Sequence, residues 1–327
     1  MPRPDDPTPR LRWGILGCAR IARRGLIPGL RASRTGELVA LASRDAAKAR
    51  VWAEEFGVPK TYGTYTELLA DPDLDAVYLP LPNEGHAPYA RAAADAGKHV
   101  LCEKPLALDA AEAAAMVAHA RERGVLLMEA FMWRHQPRTL ALRDLVRGGA
   151  IGDLRLIRSS FSFPIDPADW RLDPARGGGA LWDVGTYGVS TARLFAGAEP
   201  VEVRAQAHFG PTSVDLSLNA LLSFPGELLA AIDCSFEGPF RCAYELVGTS
   251  GAIEVPDAYL PPAQPVAHAR NPDGSLRETL RFDGTDQYAA MVDAFAAGVA
   301  AGRLPDPAED GLAQMQTLDA VLAAARR

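Results

Sequence analysis

Apolar and polar positions over residues 11–130 alternate between two periods. Leu11–Leu16, Leu38–Ala42, Ala76–Leu79, His99–Cys102 and Val125–Met128 are short, mostly apolar runs. Such runs are strands buried on both faces, as in a parallel sheet covered by helices. Between them, Arg20–Arg31, Ala46–Phe56, Glu84–Ala96 and Ala110–Arg123 read as helices. Gly97 suits a helix C′ position, and Asp109 and Gly124 suit the cap and stop of the Ala-rich helix. Strands and helices alternating with short links predict a doubly wound α/β domain.

Beyond residue 130 the pattern changes. Pro137–Arg147 and Ala180–Phe195 read as helices. Around them lie longer runs: Asp153–Phe163, Val201–Phe209, Ser213–Phe224, Leu228–Phe236, Cys242–Val247 and Ala252–Val255. Several alternate at period two, which predicts a largely antiparallel sheet with one solvated face. The segments PNEG at 82–85 and GTSG at 248–251 are turns, 256–265 is a loop, and helices over Asp286–Ala301 and Asp310–Ala324 close the chain. The expected organisation is a loose tail over 1–10, a dinucleotide-binding domain over 11–130, and a substrate-binding and oligomerisation domain over 131–327.

The 327 residues suit two domains, and 48 % apolar with 23 % charged residues is ordinary globular composition. A net charge of −7 argues against nucleic-acid and anionic-lipid partners. Cys18, Cys102, Cys234 and Cys242 show no zinc spacing. A Cys234–Cys242 bridge across a hairpin is an alternative to four buried free thiols, which are the expected state. The opening residues carry no apolar signal segment, and no apolar run is long enough to span a membrane. A reducing cytoplasm is therefore expected.

The first strand leads into Gly17-Cys18-Ala19-Arg20-Ile21-Ala22. This is a GxGxxG/A pattern with Ala19 where the central glycine belongs. The match is degenerate, but it follows a strand and opens a helix, whose N-terminus suits a pyrophosphate. At the end of the second strand stand Ser43 and Arg44, with Lys48 one turn into the next helix. A forked, permanent cation suits a 2′-phosphate, so NADP is expected, with NAD possible.

The run Gly97-Lys98-His99-Val100-Leu101-Cys102-Glu103-Lys104-Pro105 resembles the AGKHVLxEKP signature of the Gfo/Idh/MocA oxidoreductases. The segments LPNEGH (81–86), MEAFMWRHQP (128–137) and GGGALWDVGTYGV (177–189) match as well, so the resemblance covers nearly the whole chain. It is nearest the dihydrodiol dehydrogenase, D-xylose dehydrogenase and glucose–fructose oxidoreductase branch. The resemblance implies a Rossmann domain joined to an open-faced, mostly antiparallel sheet. It implies that Lys104 faces the reacting oxygen, that Asp183 binds substrate hydroxyls, and that Tyr187 stands where other members carry His. Leu81, Pro82, Asn83, His86 and Glu103 are expected beside the cofactor. Trp170 and Arg171 are expected on a loop reaching it. Trp133, Arg134 and Phe163 are expected along the substrate cleft.

Asp183 and Tyr187 are four apart on an expected helix and so share a face. Neither Tyr nor Lys is a good base at its ordinary pKa of about 10. Bringing Tyr187 to about 7 requires about 4 kcal/mol favouring phenolate, part of which a Lys104 ammonium supplies. Tyr187 is expected as acid/base with Lys104 as its electrostatic partner, and the two roles can be exchanged. The expected reaction is hydride transfer between nicotinamide and a carbinol or carbonyl carbon of a sugar or polyol, as in a D-xylose dehydrogenase. The alternatives are a reductase of nucleotide-linked ketosugars, a trans-dihydrodiol dehydrogenase, or a non-catalytic NADP sensor. No metal is expected. A homodimer or homotetramer built on the open sheet is expected.

Overall fold

The computed structural model describes residues 10–327, so all but the last residue of the expected tail lies outside the described residues. The described chain forms two compact units. The first gathers residues up to Ala107, Ala111–His135 and Asp286–Gly311; the second gathers Leu108–Ala110, Gln136–Thr285 and Leu312–Arg327. This division differs from a single cut at 130, because Asp286–Gly311 belongs with the dinucleotide-binding unit.

The first unit is built on β1 (Leu11–Leu16), β2 (Gly36–Ala42), β3 (Lys60–Tyr62), β4 (Ala76–Leu79), β5 (His99–Cys102) and β6 (Leu127–Glu129). Their order is β3-β2-β1-β4-β5-β6, all parallel. Chain order reverses between β1 and β4, the place where ligands bind in such sheets. β4 is buried along its length, as its unbroken apolar run demands. Two short elements went unread in the sequence: β3 and the helix Tyr65–Leu69. The helix starts in a capping box of Thr64 with Glu67. The helix Gln287–Ala300 seats Tyr288 on the first helical stretch, where a Cβ at Gly25 or Gly29 would lie 2.4 or 2.5 Å from Tyr288.

The second unit is built on β7 (Leu154–Ser162), β8 (Glu202–Phe209), β9 (Asp215–Phe224), β10 (Leu228–Ser235), β11 (Arg241–Gly248), β12 (Gly251–Val255), β13 (Val266–Arg270) and β14 (Leu276–Arg281). Their order is β14-β13-β12-β11-β7-β10-β9-β8. Neighbours run antiparallel except β7 with β10, which is a parallel pair. Period two holds: Leu218, Ala220 and Leu222 are buried, while Asn219 and Leu221 are exposed. The outward face carries the ion pairs Arg158–Glu245, Arg241–Asp233 and Arg270–Glu254. The inward face receives the helix Thr186–Ala196. All four cysteines are buried and free, including Cys234 and Cys242.

Candidate active site

In the first unit the dinucleotide turn follows β1 directly. Gly17 takes φ +115°, and a Cβ there would lie 3.2 Å from Leu81 and 3.3 Å from the Tyr65 hydroxyl. The tight turn therefore needs glycine. Cys18 and Ala19 complete it, and helix begins at Arg20 and Ile21, so the positive end of a helix meets the turn. Burial pushes the Cys18 thiol up, against the opposing pull of the Lys48 charge and the Ser43 hydroxyl.

At the end of β2, Ser43 is buried and accepts a hydrogen bond from Asp45 N at 3.1 Å. Asp45 Oδ1 accepts from Ala47 N and Lys48 N at 3.0 Å, capping the helix Ala46–Phe56. The acidic group nearest the strand end is thus committed to its own helix. Arg44 and Lys48 stay exposed, and burial pushes the Tyr65 phenol up against the pull of the Arg44 charge. Tyr65 was missed in the sequence. The Thr64–Glu67 capping box was the available signal, since it fixes Tyr65 at the first helical position.

The Gly97–Pro105 run divides into a structural and a chemical half. Lys98 is buried and donates to Asp71 O and Leu74 O at 2.7 and 2.8 Å. His99 Nδ1 accepts from Leu126 N at 3.0 Å. Beyond β5, the buried Glu103 carboxylate takes a short hydrogen bond from the Tyr78 hydroxyl. The half-buried Lys104 follows, joined to Pro105 by a cis peptide bond. Glu129 then accepts from Leu106 N at 2.9 Å, fastening the chain after the proline.

Three expectations in this unit need correction. His86 is fully buried, with its ring nitrogens 2.9 Å from Pro105 O and Leu81 O. Burial holds its pKa below the usual imidazole value. It braces two loops instead of offering a nitrogen to a ligand. Trp133 is fully buried. Arg134 is bound to Asp306 at 3.4 Å and, by a short contact, to Asp310. These side chains fasten the chain near residue 133 to the segment after Ala300. Leu81 and Pro82 remain half-buried, and Asn83 is buried.

In the second unit Asp183 and Tyr187 lie on one continuous helical stretch, a π-turn over Leu181–Gly185 followed by Thr186–Ala196. π-turns often mark functional sites. Two glycines set the stretch down on the sheet. A Cβ at Gly185 would lie 2.8 Å from Cys234 Sγ, and one at Gly188 would lie 2.5 Å from Ile232. The Tyr187 ring packs on Phe161 and Tyr259, with centroids 5.4 and 4.8 Å away. The Tyr259 hydroxyl lies 2.7 Å from Ser159 Oγ and 2.8 Å from Thr191 Oγ1. Arg138, fully buried, donates to the carbonyls of Pro256, Asp257, Ala258 and Val266 at 2.8 to 3.1 Å, pinning the loop that presents Tyr259. Arg138 and Tyr259 were not singled out in the sequence, because their partners are backbone groups and residues distant in the chain.

Asp183 Oδ2 is paired with Arg171 Nε at 2.9 Å, and Arg171 also meets Asp169 at 3.2 Å. Arg171, expected on the cofactor, is instead engaged with the expected substrate carboxylate. Trp170 lies beside it, its ring centroid 4.7 Å from the Arg171 guanidinium and 5.3 Å from that of Arg176. Phe163 is half-buried against Phe236, with centroids 5.3 Å apart. The arrangement offers a carboxylate for hydroxyl binding and a phenol one helical turn on, with an aromatic and cationic cluster beside the carboxylate. Among the described residues no group of three His, Cys, Asp or Glu side chains is placed to hold a metal, and no helix is long and apolar enough to cross a membrane.

Comparison with known proteins gives the same answer along the whole chain. Residues 11–131 match the GFO/IDH/MocA oxidoreductase family with its NAD-binding Rossmann fold, and residues 139–254 match the GFO/IDH/MocA C-terminal domain. A D-xylose 1-dehydrogenase (NADP(+)) of Haloferax volcanii is 40 % identical over 95 % of this chain and 96 % of its own. The crystal structure of KijD10, a 3-ketoreductase from Actinomadura kijaniata in complex with NADP and TDP-benzene, superposes with a TM-score of 0.88 at 38 % identity, covering 96 % of this chain and 98 % of that one. An aldose–aldose oxidoreductase from Caulobacter crescentus superposes with a TM-score of 0.89 at 32 % identity, covering 97 % and 98 %. The chain is a member of the GFO/IDH/MocA oxidoreductase family.

Proposed function

We propose that this oxidoreductase uses NADP and acts on a carbinol or carbonyl carbon of a sugar or polyol, with D-xylose as the first substrate to try. The observation that carries the reading is the helix entry that sets Asp183 and Tyr187 one turn apart on the inner face of the sheet. The likeness to an NADP-dependent xylose dehydrogenase over 95 % of the chain supports it.

When bound, NADP accepts or supplies the hydride. The turn Gly17-Cys18-Ala19-Arg20-Ile21 suits its pyrophosphate, and Ser43, Arg44 and Lys48 suit its 2′-phosphate. The capping role of Asp45 favours that assignment, because its Oδ1 is turned to the first N–H groups of its own helix. Leu81, Pro82, Asn83 and Glu103 fit the nicotinamide side. Asp183 accepts hydrogen bonds from substrate hydroxyls. In the oxidative direction Tyr187 takes the hydroxyl proton of the reacting carbon while Lys104 stabilises the oxygen; in reduction both steps reverse. Phe163 contributes apolar surface to the substrate.

One observation favours a second reading. Trp170, flanked by Arg171 and Arg176 beside Asp183, suits an aromatic base and a diphosphate. A reductase of nucleotide-linked ketosugars, of the kind KijD10 represents, would use such a cluster. A non-catalytic NADP sensor is disfavoured by the joint presence of Lys104, Asp183 and Tyr187. The outward sheet face exposes Leu221 and Leu229 among its ion pairs, which favours a homodimer or homotetramer through that face.

The test follows NADP reduction with D-xylose, other aldoses and polyols, with and without thymidine diphosphate. Turnover of an aldose that thymidine diphosphate leaves unaffected is the expected result. Competitive inhibition by thymidine diphosphate moves the assignment to a nucleotide-linked sugar. Tight NADPH binding without turnover of any substrate overturns both readings.

A further inference from the structure

Asp215 opens β9 and is only 2 % exposed. Its side chain points to the inner face of the sheet, where charged groups are rare. Oδ2 accepts the backbone N–H of Leu181 at 2.6 Å. Oδ1 fills the space over Gly179, where a Cβ would lie 2.2 Å from it. Gly179 takes φ +126°, so any other residue there would be both strained and displaced by the carboxylate. Leu181 is the first residue of the π-turn that carries Asp183 and leads into Tyr187. A carboxylate at this point satisfies one of the N–H groups that a helix start leaves unpaired and faces the positive end of the helix.

We infer that Asp215 is a positioning residue: through Leu181 it fixes the helix entry that presents Asp183 and Tyr187. The inference rests on the reading of those two residues as the reacting pair. It goes further by locating the group that sets their register from a strand distant in sequence.

The surroundings make this hold sensitive to pH. Burial pushes the Asp215 carboxyl up to about 7, against the pull of the Leu181 and Asp215 backbone N–H groups and of Arg326. The titratable and charged neighbours are Cys234 on β10, Arg326 past the last helix, and Asp183 two residues beyond Leu181. Cys234 is buried and held as the neutral thiol. The ionised carboxylate is the stronger acceptor. Burial outweighs that gain: opening the helix entry admits water and returns Asp215 toward its ordinary value of 3.8, so opening becomes easier as pH rises and levels off above about 7.

Two measurements on the full chain test this, one of which needs no substrate. Hydrogen exchange of the peptide spanning residues 178–187 is compared between wild type and Asp215→Asn, at about one pH unit on either side of neutrality. Corrected for intrinsic rate, wild-type protection is expected to fall about tenfold from the acid to the alkaline side, and that of the variant to stay constant. Equal exchange in both proteins, or a difference independent of pH, overturns the inference. If Asp215→Asn does not fold, the wild type alone decides: its protection, corrected for intrinsic rate, must fall as pH rises toward about 7, and constant protection overturns the inference. The second measurement is kcat/KM for NADP-linked D-xylose oxidation against pH. The wild type is expected to show an inflection of about tenfold near neutrality, and Asp215→Asn to lack that inflection. Retention of the same inflection in the variant overturns the inference. Failure of D-xylose to turn over counts against the proposed function, while the exchange result still decides the role of Asp215.

Discussion

The two units present their chemistry in opposite ways. In the parallel-sheet unit the side chains proposed to act stand on strand ends. Lys104 follows β5, Arg44 follows β2, and both retain exposure while buried neighbours hold the backbone beneath them. In the antiparallel-sheet unit the chemistry is built into the packing. Tyr187 is 6 % exposed and shares its ring contacts with Phe161 and Tyr259. Removing a group at a strand end should therefore cost function with little stability. Removing one from the packed helix should cost both, unless the substitution preserves its shape.

Lys104→Ala and Tyr187→Phe make the strongest use of this contrast. Each is expected to lower kcat by about a thousandfold, equivalent to about 4 kcal/mol of transition-state stabilisation. Both should melt close to wild type, because the phenylalanine keeps the ring packing and Lys104 lies at a surface edge. Tyr187→Ala should instead lose about 3–5 kcal/mol of stability in urea unfolding, through the cavity it leaves among Phe161 and Tyr259. Equal stability of Tyr187→Ala and Lys104→Ala would remove the contrast.

A smaller effect is expected where the helix meets the sheet. Gly188→Ala places a methyl 2.5 Å from Ile232, so it should destabilise the protein by about 1–3 kcal/mol and lower kcat with it. Ile232→Ala in the same chain should restore part of the loss by making room. A Gly188→Ala protein with unchanged melting and rate would mean that the seating of the helix does not matter.

The contrast also explains what the sequence could reveal. The strand ends and the family were legible because they sit in local motifs. Gly17-Cys18-Ala19, Ser43-Arg44 and Glu103-Lys104-Pro105 each announce themselves within a few residues. The doubly wound order followed from strands such as Ala76–Leu79, whose apolar run has only one comfortable environment. Partnership was not legible. Periodicity shows that Gln287–Ala300 has an apolar face but not which surface receives it; the clue was Gly25 and Gly29, spaced to admit Tyr288. β13 and β14 escaped notice because sequences such as Leu276–Arg281 are mostly polar, as suits a sheet edge. The parallel β7–β10 pair has no local signature. His86, Trp133 and Arg134 were expected beside ligands from the resemblance alone, whereas their burial and partners depend on residues far along the chain. Asp215 was hidden for the same reason: in Ser213–Asn219 it reads as one more polar position, yet it faces inward beneath the helix entry.

Stability against pH sets the buried Asp215 apart from the paired carboxylates of both units, such as Glu254 beside Arg270 in the second. Asp215 carries its proton in the folded chain from its ordinary value of 3.8 up to about 7, whereas the unfolded chain has already released it. Across that window the folded state binds more protons, so stability falls as pH rises, by at most about 1.4 kcal/mol per pH unit from this group. Above about 7 this contribution levels off. The depressed carboxylates work the other way. Asp75 is held below its ordinary value by Arg12, so the stability it contributes is present above that value and is lost as pH falls through the folded one. Urea titrations of wild type and Asp215→Asn across this window should differ in slope by the Asp215 share. Parallel curves would show that the carboxyl ionises at its ordinary value.

The smallest expected effect is at Arg44. Its guanidinium is exposed at the end of β2, close enough for its charge to act on the Tyr65 hydroxyl. An exposed charged hydrogen bond to phosphate is worth about 1.5 kcal/mol, so Arg44→Ala should lower the NADP-over-NAD ratio of kcat/KM by roughly tenfold. The melting temperature should not change. Tyr65→Phe should produce a fraction of the same shift, because it changes a neighbour of the guanidinium without removing the charge. If Arg44→Ala instead weakened both cofactors equally, the side chain would be reading the pyrophosphate or adenosine common to them, and selectivity would rest on Ser43 and Lys48. If it unfolded the protein, strand-end groups would be structural after all, and the contrast between the two units would fail at its simplest point.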